Sequence, residues 1–268
     1  MRRLIFATVL CCICGLGFAQ TTSADEALLA KTRSLYDAPF RRNLVSFDCA
    51  VQFDWRKHFV DIIGTVPSTA ESTVVRLQTV QHRVFVDRSG AVVSAQPKAP
   101  DLIGLEHAVD LEQMLKAMIP AGLNMWMPFS TNVIFPVGPT KFSFQKIDPG
   151  YKLIMSGTNV AATLLLADDM RLTSFISQLP QAMRATTVFA PGPDGLLITS
   201  IKTASTTDSA QSGEAEFTYT YQTIQGFQLP SLISITQPTH ELWQYTLTDC
   251  KVMTGVTIEV GSPHTPLN

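Results

Sequence analysis

The chain has 268 residues, 46% hydrophobic and 16% charged, which sets it apart from disordered chains and supplies enough apolar mass for a large core. Lysine and arginine number 20 against 22 acidic residues, a net charge of −2, so no general basic field exists to neutralise nucleic-acid phosphates. Nucleic acid is not an expected partner.

Arg2 and Arg3 precede an apolar stretch from Leu4 to Phe18, with Gly17 and Ala19 at the −3 and −1 positions of a cleavage site. This is the pattern of a secretory signal peptide, residues 1–19, cleaved after Ala19, and the apolar stretch is shorter than the about 20 residues that span a bilayer. A periplasmic or secreted protein is expected, with no transmembrane segment after cleavage. Cys11, Cys12 and Cys14 lie in the leader, but Leu10, Cys11 and Ile13 precede them where lipidation would want a small residue. Only Cys49 and Cys250 survive processing. An even pair in an exported chain is a disulfide candidate that would tie the first strand to the last; two buried free thiols are the alternative.

Ala24 to Phe40 places Leu28, Leu29, Thr32 and Leu35 on one stripe, predicting an amphipathic helix with Ser23 as N-cap and Pro39 as its stop. Val45, Phe47, Cys49, Val51, Phe53 and Trp55 then alternate with mostly polar residues, the clearest strand in the chain. One or two helical turns are expected over 56–63, a loop over 66–73, a strand from Val74 to Val86, and a turn at 87–90 into a short strand ending near Ser94. Residues 96–104 read as loop. Between Leu105 and Met127, Leu111, Met114, Leu115, Met118 and Ile119 form a helix face, with Pro120 and Gly122 expected to kink or end it.

Beyond Pro139 short strands recur between turn residues: 142–147, 151–155, 161–166 and 172–176 form a meander. A helical or loop bridge is expected over 177–184. Strands follow at 196–203, 214–223, 232–236 and 242–252, several with one apolar and one Thr-rich face, as in an antiparallel sheet covered on one side. The segment 204–213 reads as a flexible loop. The pattern predicts one α+β domain over 20–260 with a frayed tail at 261–268.

The segments DGLLITSI (194–201), EFTYTY (216–221), GFQLPSLISI (226–235) and YTLTDCKV (245–252) resemble the closing strands of outer-membrane lipoprotein carrier proteins of the LolA-like fold, over about residues 141–252. The resemblance implies a curved antiparallel sheet, a half-barrel, packed against a few helices, whose hollow takes acyl chains. The carriers' N-terminal Arg-Pro and Phe-Arg-Trp features have no counterpart here, so no functional arginine carries over.

Independently, Met114, Met118, Met125 and Met127 cluster with Trp126 and Phe129, and flexible thioethers can line adaptable apolar surfaces. Met114, Met118, Met125, Trp126 and Phe129 are therefore candidate ligand-binding residues, or else filler for the concave face of the sheet. The five histidines show no paired-ligand spacing, so no metal is expected. Ser143 and Lys146 match Ser-x-x-Lys but fall on a predicted strand without a companion Lys-Thr-Gly. Asp168 and Asp169 fit a hairpin turn better than a catalytic pair, Asp48 and Asp54 project from a polar face, and His58 has no catalytic neighbour in sequence. No nucleotide motif and no cofactor site is present in the sequence. The expected function is non-catalytic: binding or carriage of an apolar ligand such as a lipid or an acylated protein, or, alternatively, an envelope structural or protein-interaction module of the same fold with a solid core.

Overall fold

The computed structural model describes residues 22–63, 71–96, 106–138, 140–158, 160–179, 182–205, 214–237 and 242–255. The expected leader, most of the 96–104 and 204–213 loops, and the tail lie outside the described residues.

Helix α1 spans Ser23–Ser34, and its N-cap is Thr22, not Ser23: the Thr22 hydroxyl accepts from Asp25 N while the Asp25 carboxylate accepts from Thr22 N at 3.1 Å. The helix ends short of Pro39 because the chain turns to pair with a later strand, Leu196 N donating to Leu35 O at 2.7 Å and Asp37 N to Leu196 O at 3.1 Å. Pro39 instead opens a 3₁₀ turn, Pro39–Arg41. Strand β1, Leu44–Phe53, buries Phe47, Cys49 and Val51 in the predicted alternation, while a bulge near its start turns Val45 outward. Trp55 begins helix α2, Trp55–Ile63, and does not extend the strand.

The strand expected from Val74 is corrected: helix α3 occupies Glu71–Thr79, burying Val74 and Leu77 on one face, and strand β2 starts at Gln81. Strands β2 (Gln81–Asp87) and β3 (Gly90–Gln96) form the predicted hairpin. Helix α4 runs Glu106–Ser130 without interruption through Pro120, Gly122 and Pro128, so Pro120 and Gly122 do not end it. An interior proline removes a helical hydrogen bond and costs about 3 kcal/mol, and packing against the sheet offsets it. The Tyr245 hydroxyl donates to Ile119 O at 2.8 Å, the Tyr219 hydroxyl donates to Gly122 O at 2.9 Å, and Leu115, Ile119 and Leu123 are fully buried.

The meander follows as predicted: β4 (Lys141–Lys146), β5 (Tyr151–Ser156), β6 (Ala161–Leu166) and β7 (Leu172–Leu179). The bridge expected over 177–184 is also corrected, since β7 continues to Leu179 and β8 (Met183–Gly192) begins at once. Strands β9 (Gly195–Ser205), β10 (Ala215–Ile224), β11 (Phe227–Thr236) and β12 (Leu242–Thr254) complete the sheet.

All twelve strands join one curved, unclosed antiparallel sheet in the order β3-β2-β1-β12-β11-β10-β9-β8-β7-β6-β5-β4. The fold is α+β, a curved antiparallel sheet packed against four helices. Cys49 and Cys250 are joined by a disulfide across β1 and β12, with Cα atoms 4.0 Å apart. Because β3 and β4 are the two edges, α4 is the crossover between opposite ends of the sheet. Eleven strand spacings make an arc of about 53 Å, whereas the 25 residues of α4 extend about 38 Å. The helix packs across one face of the sheet against β3, β9, β11 and β12.

Candidate functional site

Both α1 and α4 end at the same place. Asn132 follows α4 in the left-handed conformation, φ 61°, that a helix C-cap requires and asparagine tolerates, and its side-chain amide donates to Arg33 O in the last turn of α1 at 3.2 Å. Two further bonds bring the β2–β3 hairpin to this corner: Ala91 N donates to Asn124 Oδ1 at 3.2 Å, and Arg88 Nη2 donates to Phe40 O at 2.5 Å. Four chain segments thereby border an open cleft of about 480 Å³ whose apolar lining includes Phe40, Met127, Pro128 and Val133. The size is that of small-molecule pockets.

Three guanidinium groups, those of Arg33, Arg41 and Arg88, line this cleft, and no carboxylate does. Among the described residues none of the three makes an ion pair within 4.0 Å. Burial lowers the Arg33 pKa, and the neighbouring Arg41 charge lowers it further. The hydroxyls in the wall are committed elsewhere, Ser89 Oγ donating to Asp87 at 2.5 Å and Thr131 Oγ1 to Met127 O at 2.7 Å. The arrangement can therefore hold an anion beside an apolar group, and it sets no general base against a nucleophile.

The five predicted ligand-binding residues lie along α4, but the structure separates them. Trp126 and Phe129 are buried, Trp126 against Phe40 and Phe47 and Phe129 against Phe189; Met118 and Met125 are half-buried, and Met114 is exposed. The methionine that faces the cleft is their neighbour Met127. Sequence reasoning missed the arginines because they stand on α1, the 3₁₀ turn and a hairpin, with no shared spacing. The one available signal was that Arg33, Arg41 and Arg88 all flank element ends.

Three of the four carboxylates weighed in the sequence are engaged by cations, Asp168 with Lys146 at 2.6 Å, Asp169 with Arg171 at 2.6 Å and Asp48 with Arg83 at 2.9 Å, while Asp54 accepts from Lys57 N at 3.0 Å. Ser143 and Lys146 both lie on β4, three residues apart on a strand and hence on opposite faces. Among the described residues no group of three His, Cys, Asp or Glu side chains is placed to hold a metal ion, and no helix is long and apolar enough to cross a membrane.

A second polar cluster is structural. His82 on β2 and Glu112 on α4 are both buried, their side chains 3.4 Å apart, and Lys116 reaches the same carboxylate at 2.7 Å. Burial lowers the His82 pKa, outweighing the pull of a carboxylate that Lys116 already neutralises. Stability carried by neutral His82 is complete above the ordinary histidine pKa of about 6.5 and is lost as pH falls below it, since the unfolded chain takes up the proton first. The wild-type urea midpoint should fall across that window, and His82→Gln should flatten the dependence. An unchanged slope in the variant would show that His82 does not set it.

No protein-family model, curated protein or solved structure matches the chain. Fold and site by themselves define an α+β protein with a curved antiparallel sheet and an arginine-lined cleft where its crossover helix ends.

Proposed function

We propose that the protein is an exported, non-catalytic binding or carrier protein for a ligand with an alkyl chain, such as a lipid or an acylated protein. The observation that carries this reading is the open cleft at the end of α4, whose apolar lining reaches from the buried Phe40 and Met127 to Val133 and Val137, 53% and 50% exposed. The Cys49–Cys250 disulfide suits an oxidising compartment, and the leader-like residues 1–19 agree with export to the periplasm. The curved, unclosed sheet is the architecture that the resemblance to lipoprotein carriers implies. Phe40 of the cleft lining packs in turn against the buried Trp126.

Native mass spectrometry of the protein purified from an envelope extract should show a stoichiometric acyl-chain adduct, and stripped protein should take up monolauroylglycerol. A clean apo mass together with no uptake would overturn the proposal. A second reading, an envelope protein-interaction module with a solid core, has its own support: Phe85 and Val92 pair across β2 and β3 at 44% and 67% exposure, beside the sheet edge. That reading gains if the protein stays apo while Phe85→Ser releases a co-purifying partner.

A further inference from the structure

The proposed function leaves the charge of the cleft unexplained. A chain with a net charge of −2 gathers three arginines there and no carboxylate. Glu26 acts on Arg33 only from outside the cleft lining, and Asp87, the acidic residue beside Arg88, accepts from Ser89 N at 2.7 Å and Ser89 Oγ at 2.5 Å. The two helix C-termini that meet at the corner supply about half a negative charge each, so the three guanidinium groups leave roughly two positive charges uncompensated.

We infer that the cleft is a head-group pocket for an amphiphile carrying an oxyanion, phosphate or carboxylate. The inference rests on the proposed function for the alkyl chain and adds the chemistry of the head. Arg33, Arg41 and Arg88, which line the cleft, meet the oxyanion as planar forks matched to phosphate and carboxylate oxygens, Arg88 being anchored by its bond to Phe40 O at 2.5 Å. The chain leaves along Met127, Pro128 and Val133.

Three probes separate the contributions in calorimetric titrations below the lipids' aggregation concentrations: lauroyl glycerophosphate, monolauroylglycerol with the same chain and no charge, and glycerol phosphate with the head alone. The charged lipid should bind about tenfold or more tighter than the neutral one, from charge-assisted bonds in a half-open site. That ratio should fall towards unity in Arg41→Gln and lower still in Arg41→Glu. Arg41 is exposed, so neither change should disturb the fold, which near-ultraviolet circular dichroism checks. Equal binding of the two lipids would overturn the head-group inference while the proposed function stands. Binding of glycerol phosphate as tight as that of the charged lipid would make the cleft a plain anion site and overturn the amphiphile. If neither lipid binds, both readings fail.

Discussion

The double variant Cys49→Ala/Cys250→Ala is expected to lose about 3–5 kcal/mol of unfolding free energy, the range for a native cross-link closing a long loop. The bond spans 201 positions in sequence yet joins neighbouring antiparallel strands, so it restricts the unfolded chain over most of its length. It also sits at a vulnerable seam. Within the hydrogen-bonded sheet, strands β3, β2 and β1 join the other nine through the pairing of β1 with β12. Urea unfolding followed by tryptophan fluorescence checks the size: Trp55 lies just beyond β1 and Trp243 is on β12, both buried and 6.5 Å apart between ring centres. A midpoint unmoved by both the double substitution and added reductant would mean that strand pairing alone holds the seam.

Gly122→Val should be nearly as damaging. A Cβ at Gly122 would lie 2.5 Å from Tyr245 Oη and 2.8 Å from Ile233 Cγ2, so even alanine crowds the sheet and valine forces α4 to lift. Overpacking of this kind costs about 1–3 kcal/mol, and lifting the helix strains the Tyr245–Ile119 and Tyr219–Gly122 hydrogen bonds, each worth about 1 kcal/mol. The expected total is about 3–5 kcal/mol, read from thermal melts and loss of near-ultraviolet circular dichroism. Tyr245→Phe, which removes one hydroxyl and keeps the ring, should cost only about 1 kcal/mol. If Gly122→Val melted like the wild type, the close approach of α4 to β11 and β12 would be wrong.

Where a strand buries large apolar residues at every second position, the sequence announced it. Phe47, Cys49 and Val51 on β1 and Trp243, Tyr245 and Leu247 on β12 are examples, and the turn at 148–150 marked the β4–β5 hairpin. Strand β8 escaped because its inward positions include Ala185 and Thr187, while Val188 points outward at 58% exposure, which nearly inverts the apolar period. Thr187 is accommodated by donating to Leu172 O at 3.0 Å, a partner visible only in three dimensions. Helix α3 was hidden by Val74 and Val75, whose β-branched pair suggests a strand although only Val74 is buried. The prolines of α4 gave a local stop signal that contacts with Tyr219 and Tyr245, about a hundred residues away, override. The disulfide pair was legible from counting. The cleft was not, because three arginines on separate elements become a site only after α1, α4 and the hairpin meet.

The position of β12 between β1 and β11 fixes an order of assembly. Strands β4 to β11 pair with their sequence neighbours and need only short loops, so they can form as the chain emerges. The block β1–β3 has no such neighbour and must wait, its β1 edge unpaired, until the last strand arrives. During synthesis that edge is the one most open to pairing with the wrong chain. Arg83, which bonds both Asp48 on β1 and Asp249 on β12, bridges the edge once β12 is in place.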